Sequence, residues 1–136
     1  MIKRGRQAQI PADMRHCLTQ LLGDTVAQVQ VREHSWYAWL HTGARATTRR
    51  RRIYLRGSAA DFWAEPELVL HEYFHVLRQW ETRELSVRRY LLESFRRGYW
   101  DNGFEIAARE FATDNLYRFR ALLSQQGNRG ADGRFV

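Results

Sequence analysis

The pentapeptide His71-Glu72-Tyr73-Phe74-His75 constrains this chain more than any other feature. Residues four apart on an α-helix lie nearly above one another, so a helix here aims both imidazoles at one point. The flanking sequence agrees: Leu68, Val69, Leu70 and Phe74 surround the motif. Glu65-Pro66 opens a helix whose pattern runs to about Trp80. Zinc accepts imidazole nitrogens at roughly 2.0–2.1 Å in tetrahedral geometry. Glu72, one residue after the first histidine, projects beside such a metal, where a carboxylate can take a proton from an activated water.

A catalytic zinc site takes three protein ligands and leaves one position open. His16, His34 and His41 lie upstream as candidates for the third, and Glu81, Glu84, Glu93, Asp101, Glu105 and Glu110 lie downstream. The spacing favours Glu105. It stands in the first turn of a helix expected from Asn102 to about Ser124, and Ala108 and Ala112 follow on one face, small enough for two helices to approach closely. Asn102-x-x-Glu105 is also a capping box, so a plain cap is the competing role for Glu105; Glu110 is the next alternative ligand. Tyr99, just before this helix, is the candidate donor to a developing oxyanion, with Tyr54 and His41 behind it.

These residues resemble a family pattern. The motif followed by a downstream glutamate on a helix is similar to the short gluzincin-type metallopeptidases, and Glu105, Ala108, Phe111 and Ala112 resemble the ImmA/IrrE-type spacing. Gly103, Arg109 and Arg78 depart from those patterns. The resemblance implies a small zincin-like fold with His71, His75 and Glu105 as zinc ligands and Glu72 as general base, hydrolysing a peptide or protein substrate.

The rest of the chain sets the frame. A length of 136 residues, 44% of them hydrophobic, suits a single core-forming domain. Residues 1–10 read as a loose start, and Pro11 opens a helix carrying Met14, Cys17, Leu18, Leu21 and Leu22 on one face, ended by Gly23. Cys17 reads as a core residue, and a lone cysteine forms no intrachain disulfide. Residues 26–33 read as a strand with a hairpin partner at 36–40; residues 42–50 read as a loop, and Ile53 to Leu55 as a strand able to line substrate. A helix at 83–96 offers Leu85, Tyr90, either Leu91 or Leu92, and Phe95 to the core. The expectation is an α+β domain over residues 1–126 with a flexible tail at 127–136.

All but one of the 22 basic residues are arginine, the net charge is +7, and four arginines occupy 49–52. This suits general solubility or, less specifically, a nucleic-acid or acidic partner. The aromatic cluster Trp36, Tyr37 and Trp39 reads as hairpin packing rather than base stacking. No apolar run approaches the roughly 20 residues of a membrane span, and no signal-peptide core follows the basic N-terminus. A cytoplasmic chain without a membrane partner is expected, a domain of a longer secreted protein being the alternative. Two other readings stand beside the zinc peptidase: a non-catalytic zincin-like binding module, and a basic nucleic-acid-associated protein.

Overall fold

The computed structural model describes residues 5–35, 46–80, 82, 86–98 and 102–132. It is an α+β fold in which a four-stranded sheet packs against helices. The first helix, α1 (Ala12–Leu22), follows Pro11 and stops at Gly23, whose φ of 95° is a conformation that only glycine adopts cheaply. Met14, Cys17, Leu18 and Leu22 enter the core from it, as their spacing predicts. A 3₁₀ turn (Asp24–Gln28) then occupies the start of the segment read as a strand, and β2 begins only at Gln30.

The strands are β1 (Arg6–Ala8), β2 (Gln30–Glu33), β3 (Ala46–Arg49) and β4 (Arg52–Leu55), in the order β1-β2-β4-β3. β2 and β4 run parallel; the other two pairings are antiparallel. Two expectations are corrected here. Part of the "loose start" is β1, and part of the 42–50 "loop" is β3, a polar Ala-Thr-Thr-Arg segment held by the register Ala46↔Leu55 to Arg49↔Arg52. Cross-strand pairing, rather than an apolar pattern, defines β3. Consequently the Ile53–Leu55 segment is interior, flanked by β2 and β3, and cannot offer an open edge to substrate. The proposed hairpin partner at 36–40 lies outside the described residues.

Val31, Ile53 and Leu55 face the helices. Glu33 shares that face, and its carboxylate joins three elements. Oε1 accepts from the Arg6 guanidinium at 2.6 and 3.0 Å, and Oε2 accepts from the Ala59 amide at 2.8 Å. That amide opens a short helix, α2 (Ala59–Trp63), which Ser58 caps by accepting from Asp61 N–H at 3.1 Å.

The motif helix α3 (Pro66–Phe74) has proline at its first turn, where no amide donor is needed. At His75 its winding widens into a π segment (His75–Trp80). The next helix, α4 (Val87–Arg97), is capped by Ser86, which accepts from Arg89 N–H at 3.1 Å. Its inner face carries Tyr90, Glu93 and Ser94. At 100° per residue the opposite face therefore holds Leu91, Leu92 and Phe95. All three are exposed, Phe95 to 90%, so the expectation that Phe95 and either Leu91 or Leu92 fill the core is overturned. The last helix, α5 (Gly103–Asp132), runs past the predicted stop near Ser124 and through Gly127, into residues read as a tail. Once a helix is nucleated each added residue gains a hydrogen bond, so a glycine weakens the helix without ending it. No helix among the described residues is long and apolar enough to cross a membrane.

Candidate metal centre

α3 and α5 pack closely because α5 presents Ala108 and Ala112, both buried, while Phe74 stacks on Phe111 with centroids 4.8 Å apart. This contact brings Glu105 to the two histidines. His71 Nε2 lies 2.9 Å from Glu105 Oε2, His75 Nε2 lies 3.2 Å from Glu105 Oε1, and the two Nε2 atoms are 3.1 Å apart. The three residues offer ligand atoms within 4.8 Å of one another. The three ligand candidates of the sequence reading thus lie together and could hold a metal ion.

The Glu105 carboxylate meets the two histidines. Asn102 itself caps α5, its Oδ1 accepting from Phe104 N–H at 2.9 Å. Glu110 is exposed, His16 and His34 are exposed and away from the cluster, and Glu93 accepts from Gly103 N–H at 3.2 Å. Tyr99, His41, Glu81, Glu84 and Asp101 lie outside the described residues. Tyr54 stands on β4, beside Arg52.

Two residues absent from the sequence reading complete the centre. Gln79 Nε2 donates to the Phe104 carbonyl at 2.9 Å, which fixes the amide and turns Oε1 toward His75 Nδ1 at 2.6 Å. A carbonyl oxygen only accepts, so Nδ1 carries a proton, and it is Nε2 that would give up its proton and turn its lone pair to a metal. The sequence signal was an amide four residues beyond the second histidine. Tyr90, from α4, donates to Glu105 Oε1 at 3.1 Å; its backbone carbonyl accepts from Asn102 Nδ2 at 3.3 Å. Such outer partners orient ligands. The π segment starts at His75, and π-bulges are frequent at functional sites.

The electrostatics favour positive charge at this point. Burial alone raises the Glu105 carboxyl, but hydrogen bonds from His71 and His75, and their charges, outweigh it and hold Glu105 well below the usual carboxylate range. Burial alone lowers His75, yet the hydrogen bond and charge of Glu105, the charge of buried Glu72 and the Gln79 bond together raise it. The geometry fits a metal as well. Tetrahedral bonds of about 2.05 Å separate neighbouring ligand atoms by about 3.3 Å; the observed contacts of 2.9–3.2 Å need to open only slightly. The donor set of two imidazoles and one carboxylate is one that zinc accepts.

The profile of a family described as the eCIS core domain matches residues 9–83, more than half of the chain. That segment carries the sheet strands β2 to β4, the motif helix and Gln79, and ends before Tyr90 and Glu105. No curated protein and no solved structure matches the chain.

Proposed function

Because the chain belongs to the eCIS (extracellular contractile injection system) core domain family, we propose that within this family it is a zinc-dependent peptidase of gluzincin type. The observation that carries the reading is the convergence of His71, His75 and Glu105 around one point, with buried Glu72 on the motif helix between the two histidines. His71 and His75 hold the metal through Nε2, and Glu105 through its carboxylate. Zinc, when bound there, supplies a Lewis acid that acidifies water and polarises a carbonyl.

This chain's own residues do the rest. Glu72 takes the proton of the attacking water and hands it to the departing amine, a role typically worth 10²–10⁴-fold in rate. Gln79 keeps His75 in the tautomer that leaves Nε2 free. Tyr90 holds Glu105 in position. The reaction adds water across a peptide bond, so the substrate is a peptide or protein.

The testing variant is Glu72→Gln, assayed for zinc content and for hydrolysis of unstructured protein. Zinc stays bound at about one per chain while hydrolysis falls at least about a hundredfold. Hydrolysis that survives the substitution contradicts the assignment of Glu72.

A further inference from the structure

Helix α4 is held to the start of α5 by polar bonds on its inner face. Asn102 Nδ2 donates to Ser94 Oγ at 2.8 Å, Gly103 N–H donates to Glu93 Oε1 at 3.2 Å, and Tyr90 donates to Glu105. The outer face is apolar and basic together. Leu91 is 60% exposed, Leu92 48% and Phe95 90%. Arg88 stands one turn before Leu91 and Leu92 and two turns before Phe95, so it rises among them, and Arg96 stands one turn after Leu92. Both arginines are exposed, and neither forms an ion pair among the described residues, whereas Arg97 is paired with Glu93 at 3.3 Å.

We propose that this face of α4 lies on an anionic lipid surface, with Leu91, Leu92 and Phe95 entering the acyl boundary and Arg88 and Arg96 at the acidic headgroups. The proposal is independent of the peptidase reading. Lipid takes up apolar side chains of any shape, so a convex ridge of three needs no matching groove. Arginine stems run along apolar surface while their guanidinium groups reach headgroup oxygens. At 11 residues α4 is about 16 Å long, too short to cross a bilayer. The sequence-based expectation of no membrane partner rested on the lack of a span, which a helix lying in the interface does not need.

Two other occupants fit this face less well. A second copy packed here about a two-fold axis brings the arginines of one copy toward those of the other. A stable protein complex covers about 800 Å² per partner, whereas three side chains on one short helix offer roughly a few hundred.

The test is co-sedimentation of the full chain with extruded vesicles, of phosphatidylcholine alone or with about 30% phosphatidylserine, in about 0.1 M salt. The unsubstituted chain binds the anionic vesicles at least about tenfold more tightly than the neutral ones. Phe95→Ser weakens that binding about tenfold, with an unchanged circular dichroism spectrum. Arg88→Gln with Arg96→Gln brings the two vesicle types within about threefold of each other. The charge-matched pair Arg118→Gln with Arg120→Gln, at exposed positions of α5, changes anionic binding by less than about threefold. No preference for anionic vesicles, equal losses from both arginine pairs, or undiminished binding by Phe95→Ser overturns the proposal. A dimer in sedimentation velocity that Phe95→Ser dissociates overturns it too, by giving the face to a second copy. Vesicle binding is read without hydrolysis, so its loss leaves the peptidase reading where it stands.

Discussion

Tyr90 and Gln79 show what single residues contribute beyond the ligands. Tyr90 donates to Glu105, and its removal as Tyr90→Phe lowers zinc affinity about tenfold, the lower end for outer partners of metal ligands. Competition with a chromogenic chelator measures this, and an unchanged circular dichroism spectrum separates it from misfolding. Gln79→Leu acts on two contacts, freeing His75 Nδ1 and leaving the Phe104 carbonyl without its donor. Its expected cost is about 1–3 kcal/mol of stability in chemical denaturation, alongside weaker metal binding. At this scale the sequence was legible where chemistry follows chain spacing. His71, Glu72 and His75 declare themselves by helical period, and Glu105 by its helix start and the small residues after it. Gln79 and Tyr90 act through contacts with Phe104 and Glu105 across 25 and 15 residues, which no local pattern encodes.

Among the elements, β1 and α2 owe their places to Glu33. Its pKa is lowered, first by the Ala59 amide, then by the Arg6 hydrogen bond. A carboxylate with a depressed folded-state pKa adds stability above its unfolded value, near 4.3, and loses it as pH falls through the folded value. The difference in melting temperature between the unsubstituted chain and Glu33→Gln is therefore constant above about pH 5 and shrinks below about pH 4; thermal melts across that range measure it. Helix α4 makes the opposite case. Its apolar residues suggested core, but its inner face is given to Tyr90, Glu93 and Ser94, leaving Phe95 90% exposed. Phe95→Ser accordingly changes stability by no more than about 0.5 kcal/mol, as expected of a surface position. α1 and the motif helix were readable from period and punctuation, whereas the short α2 was not anticipated. β3 was not, since Thr47 and Thr48 earn their strand from the register with β4 and from packing against the motif helix. The change to π winding at His75 has no signature in the side-chain pattern either.

At the scale of the whole molecule, the candidate metal centre draws on two separate parts of the chain. His71 and His75 come from the family-matched segment, whereas Glu105 comes from α5, outside it. A metal that bridges them binds only the folded chain, and at 100 times its dissociation constant adds about 2.7 kcal/mol of stability. Chelation lowers the melting temperature, and His71→Ala is insensitive to the chelator. The α+β class was legible because the patterns change from alternating to helical along the chain; the strand order was not, because it depends on long-range pairing between β2 and β4.

The most direct measurement is metal content by mass spectrometry on chain purified without added metal, with His71→Ala and Glu105→Ala beside it. The account predicts about one zinc per chain, lost in the histidine variant and strongly reduced in the glutamate variant. Zinc retained in both variants, or none taken up by the unsubstituted chain when it is supplied, contradicts a centre built from these three residues.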